Sequence, residues 1–123
     1  MRQKLQFESA WDHTIALKDR EEIKKVFHRQ SSQLENGVHF SYLWKAKNHR
    51  DDLLVTVLIH NRMESVLRLK NTFLSYSGHG KKTVTGCFDV PCDIDAYTTM
   101  PWTFIFTDKS NTECTPDYQI DSL

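Results

Sequence analysis

"TTMPWTFIF", Thr98 to Phe106, is the stretch on which the fold turns. Trp102, Phe104 and Phe106 occupy every second position directly behind Pro101, and a β-strand sends alternate side chains to opposite faces. The spacing therefore predicts a strand with one aromatic face, which either fills a core or lies open as a binding strip. We read the three rings as a core stripe. Pro101 is expected at the first residue of the strand, where a missing N–H costs little.

The segments around it support that reading. In "LLVTVLIHN", Leu53, Val55, Val57 and Ile59 point one way and Leu54, Thr56 and Leu58 the other. A strand apolar on both sides is expected at the centre of a sheet or beneath a helix. In "VHFSYLWKA", Val38, Phe40, Tyr42, Trp44 and Ala46 alternate with His39, Ser41, Leu43 and Lys45, a half-buried pattern. "SVLRLKNTFLSYS" predicts one or two strands broken near Lys70-Asn71. "GHGKK" predicts a hairpin-type turn, "TVTGCFDV" a further strand, and "DYQIDSL" a short edge strand.

One convincing helix precedes these strands. In "LKDREEIKKVFHRQ", Ile23, Val26 and Phe27 make a narrow apolar face, with Asp19 as the expected N-cap and Glu22 completing a capping-box pair. A helix so short must pack on something else. Strands at close spacing without a βαβ rhythm predict a mainly β fold. The expected architecture is an antiparallel, immunoglobulin-like β-sandwich of about six or seven strands with one N-terminal helix. We expect a single domain over 1–123, its helix (18–30) packed on a sandwich spanning 38–120.

Composition narrows the function. Sixteen basic residues balance sixteen acidic ones, and a nucleic-acid surface ordinarily shows as a basic excess. Lys81-Lys82 is too short a cluster to supply one. No apolar run reaches membrane-spanning length and the N-terminus has no signal-peptide core, so a cytoplasmic protein is expected. Cys87, Cys92 and Cys114 are an odd count, read as free thiols in a reducing compartment. Cys87 and Cys92 lack a second Cys/His pair to complete a metal site. Asp89, Asp93 and Asp95 in "DVPCDID" lack the glycine and glutamate of a calcium loop. No nucleotide-binding or catalytic motif occurs, so neither catalytic nor cofactor-binding residues are assigned. The candidate partner-binding residues are Trp11, ahead of the helix; Trp44, on a strand face that can remain open; and His60, at the end of an apolar strand.

"AWDHTIALKDREEIKKVF", "LLVTVLIHN" and "PWTFIF" together resemble the SLAP domain of S-layer assembly proteins in Bacillus and its relatives, which are tied to the accessory Sec secretion route. The matching positions are Trp11; Asp19, Arg20, Ile23 and Phe27; Leu53 to Asn61; and Pro101 to Phe106. The resemblance runs from Phe7 to Leu123. Assembly proteins of that family carry the domain in tandem, whereas one copy stands here, and Arg62-Met63-Glu64 replaces an expected small turn residue. The resemblance implies no enzymatic activity and a place beside secretion machinery or its cargo. The expected function is a non-enzymatic protein-binding module; the alternative is a small-ligand or metal-binding β-sandwich domain.

Overall fold

Extended chain forms where β-branched and aromatic residues alternate with polar ones. The computed structural model describes residues 3–30, 34–78, 83–107 and 118–121. It begins with β1 (Lys4–Leu5), α1 (Ser9–Thr14) and α2 (Leu17–Gln30), then β2 (Gly37–Lys47) and β3 (Leu53–Arg62). β4 (Thr72–Ser77), β5 (Val84–Phe88), β6 (Thr98–Phe106) and β7 (Tyr118–Asp121) follow. One sheet has the order β1-β6-β3-β2 and the other β5-β4-β7.

β3 lies between β2 and β6, antiparallel to both. Its position explains its two apolar faces. Val55, Val57 and Ile59 face the second sheet and pack in one cluster with Met100, Phe104 and Phe106 of β6 and with Leu74, Tyr76 and Ile120. On the reverse face Leu58 meets Ile23, Val26 and Phe27 of α2. Three layers result: helices, four-stranded sheet, three-stranded sheet. The aromatic stripe is largely interior, with Phe104 and Phe106 at 2% exposure and Trp102 half-buried against the same cluster.

Several expectations need correction. The fold is mainly β, but its two sheets are mixed rather than wholly antiparallel. β1 runs parallel to β6, and β7 runs parallel to β4. Parallel neighbours need long crossovers, and both pairs have intervening elements enough to supply them. Among the described residues there are two helices, not one. Asp19 is not an N-cap: α2 already begins at Leu17, Arg20 N bonds Ala16 O at 3.0 Å, and Asp19 sits within the first turn. There a carboxylate still favours the positive helix end.

β2 does not keep one alternation. Its register slips between Tyr42 and Trp44, a bulge that inserts one residue and reverses the faces beyond it. Val38, Phe40 and Tyr42 pack between the sheets, whereas Leu43 and Trp44 pack on the helix side. Trp44 and Ala46 thus leave the face expected of them.

Pro101 is the fourth residue of β6, not its first. Gln6 N donates to Thr99 O at 2.9 Å, so Thr99 turns its backbone polar groups toward β1. Two residues on, Pro101 faces the same side, where β1 has already ended. The ladder with β3 continues unbroken on the other side through Leu58↔Pro101. The "GHGKK" turn lies mostly outside the described residues, while the break near Lys70-Asn71 is present, Asn71 having φ 52°.

Candidate partner-binding site

His60 belongs to the interior of the sheet. Its ring is 0% exposed, with Nε2 2.9 Å from Ser41 Oγ and Nδ1 2.8 Å from Thr99 Oγ1. Burial, followed by the charges of His39 and Arg62, pushes its pKa down to about 4. At neutral pH the imidazole is uncharged, one nitrogen donating and the other accepting. A ring so enclosed presents nothing to a partner; it fastens β2 and β6 to β3. Trp11, on α1, is half-buried and stacks on Trp102 with centroids 6.4 Å apart. Trp44 is half-buried at the helix-side cluster, to which Trp11 also packs. The three residues named from sequence therefore do not make one open patch.

What the fold does assemble is a cleft of about 270 Å³ between residues 6–9, which leave β1, and residues 92–94, which approach β6. Phe7, Ile94 and Met100 give it an apolar lining, and Glu8 and Asp93 bring carboxylates to it. Glu8 also caps α1: its carboxylate accepts from Ala10 N at 3.1 Å, Trp11 N at 3.4 Å and Ser9 Oγ at 3.2 Å. The backbone bond from Ala10 is the leading reason its pKa is lowered. Arg20 holds this corner from α2, pairing with Asp12 at 2.8 Å and lying 4.6 Å over the Phe7 ring. The other wall is anchored by Asn61, which is fully buried. Its Nδ2 donates to Ser65 O, Ile94 O and Asp95 O, and its Oδ1 accepts from Met63 N.

The cysteines separate. Cys92 lines the cleft, its thiol donating to Met100 Sδ at 3.6 Å. Burial, then Glu8 and Asp93, raise its pKa, so it remains a neutral thiol and a poor nucleophile or ligand at neutral pH. Cys87 is exposed on β5, donating to Asn71 Oδ1 at 3.1 Å. Neither is in a disulfide, and Cys114 lies outside the described residues. Asp89 accepts from Asn71 N, and Asp93 pairs with Arg68 at 3.1 Å. Among the described residues no three His, Cys, Asp or Glu side chains gather to hold a metal ion.

Pockets that enclose whole small molecules run to roughly 300–1,000 Å³. At about 270 Å³ this cleft lies at the foot of that range, with room for a single side chain. Its walls come from the N-terminal segment and from a connection almost a whole chain later, so no local motif announces it. Of the aspartates noted in "DVPCDID", Asp93 lines it and Asp89 and Asp95 do not.

A family model described as the SLAP domain matches residues 5–120. The chain belongs to the SLAP domain family. The match covers both walls of the cleft in this SLAP domain and every strand from β1 almost to the end of β7. The family's designation points to the accessory Sec secretion route. No curated protein and no solved structure matches this SLAP domain. Among its described residues no helix is long and apolar enough to cross a membrane.

Proposed function

We propose that this chain is a non-enzymatic protein-binding module, working as one domain over 1–123 in the cytoplasm, that assists S-layer protein assembly or secretion. The observation that carries the reading is the cleft, which at about 270 Å³ lies at the foot of the small-molecule range and has room for one inserted side chain. Family membership supplies the biological setting. The titratable groups also favour binding over chemistry. Cys92 is held as a thiol and His60 is sealed away from it in the sheet, whereas a nucleophile needs a base within reach.

Cross-linking of the tagged protein in a native extract tests this. A partner recovered near stoichiometry, with cross-links clustered around residues 6–9 and 92–95, is the expected outcome. Recovery of none across several growth conditions overturns the reading. A second reading, a soft metal held by the Cys92–Met100 sulfur pair, has that contact in its favour. Melting that is unchanged by added zinc or copper(I) eliminates it.

A further inference from the structure

The cleft is chemically one-sided. From residue 83 to 107 there is no lysine or arginine, while Asp89, Asp93 and Asp95 all fall in the connection before β6. In a chain whose charges balance overall, that is a local acidic excess. Glu8 comes from the opposite wall, and Glu8, Cys92 and Asp93 all line the cleft. No lysine or arginine is among the residues that line the cleft, and each cation near it has a partner. Arg68 meets Asp93 from the solvent side with its own side chain 73% exposed. Lys70 donates to Val90 O at 3.0 Å, and Arg20 is committed to Asp12 and Phe7.

Beneath the carboxylates the lining is apolar: Ile94 is 2% and Met100 4% exposed, and Phe7 adds a ring. Long basic side chains match such a space, because they bury a hydrocarbon stem while the charged head stays at the mouth. A purely apolar side chain would bring Glu8 no counter-charge and leave Asp93 only its exposed pair with Arg68. An acidic one would be repelled.

We propose that the cleft receives a lysine or arginine side chain from an extended segment of a protein partner, which rests on the binding-module reading above. The stem lies against Phe7, Ile94 and Met100, and the cationic head meets Asp93 and Glu8. Asp93 supplies the adjustable contact, exchanging its exposed pair with Arg68 for the incoming head, while Glu8 stays engaged in capping α1.

The isotope-labelled full chain is titrated with short glycine-serine peptides that differ only in a central lysine, norleucine or glutamate. The lysine peptide shifts the amides of Phe7, Ile94 and Met100 saturably. The norleucine peptide binds about tenfold more weakly, the worth of one charge-assisted hydrogen bond, and the glutamate peptide does not bind. Asp93→Lys abolishes lysine-peptide binding with an unchanged melting temperature, and Asp93→Asn weakens it less. Equal binding of the norleucine peptide, shifts on another surface, or no saturable shift at millimolar peptide overturns the proposal. If a protein partner is recovered and Asp93→Lys leaves its affinity intact, the cationic assignment falls while the binding-module reading stands. If the lysine peptide binds as described and no protein partner is found, the cleft chemistry stands and the module reading falls.

Discussion

The two faces of β3 are buried in unlike ways. Toward the second sheet, Val55, Val57 and Ile59 join an extensive cluster knit by ring contacts, with Phe88 5.0 Å from both Phe104 and Phe106. Toward the helices, Leu58 meets only Ile23, Val26 and Phe27 as fully buried neighbours, ringed by half-buried Leu5, Phe7, Trp11, Leu43 and Trp44. The first face is an interlocked interior in which every ring is held by others. The second is a lid with partly open margins. Phe7 belongs both to that lid and to the cleft. The proposed binding cleft thus lies at the looser seam, where small adjustments cost least.

The most forceful way to break this comparison is to make one substitution on each side. Phe104→Ala should cost about 3–5 kcal/mol, because its neighbours cannot collapse into the void. Phe27→Ala should cost less, about 2–3 kcal/mol, since α2 can settle toward the sheet. Denaturant unfolding measures both, and equal losses would erase the distinction between interior and lid.

Acid should act next, through His60. Its folded pKa of about 4 lies below the 6.5 of an unhindered histidine. Between those values the unfolded chain binds a proton that the folded interior refuses, so stability falls as pH drops from about 6.5 to about 4. At 1.36 kcal/mol per unit the loss is about 3 kcal/mol. His60→Gln keeps a hydrogen-bonding side chain but removes the titration. Its stability should be flatter across that window, and a parallel slope would sink the assignment.

Smaller effects sharpen the boundary between the two faces. Trp102→Ala should cost about 2 kcal/mol, below the full-burial range because the ring is half-buried. A double-mutant cycle with Trp11→Ala should return a coupling of about 1 kcal/mol for the stack. Unchanged melting in Trp102→Ala together with loss of a partner would instead make that ring a contact residue. Arg20→Ala should cost under about 1 kcal/mol in thermal unfolding, because its ion pair with Asp12 is solvent-exposed on one side.

Much of the architecture was legible in the residues because burial imposes period. β3 could be assigned to a central place from its two apolar faces, and α2 from Ile23, Val26 and Phe27. The aromatic stripe of β6 could be assigned inward from its spacing. What stayed hidden has physical reasons. Alternation reports which face a side chain takes, not the direction of the neighbouring strand, so the parallel pairs β1–β6 and β4–β7 left no trace. β1 has two residues and α1 six, both too short for periodicity to register. α1 is held by the Glu8 cap and by Trp11 rather than by helix propensity. The bulge at Leu43 was masked because Leu43 and Trp44 are both apolar, and either fits the face it is given. His60 looked accessible because it ends an apolar run; only the fold reveals Ser41 and Thr99 waiting on either side.

Pro101 carries a last consequence. Its ring nitrogen lies on the outer margin of β6 just past the final backbone bond to Gln6, where any newcomer seeking to zip alongside finds no proton offered. A proline at that border withholds one rung from any added strand, which makes this margin a poorer template for edge-to-edge pairing.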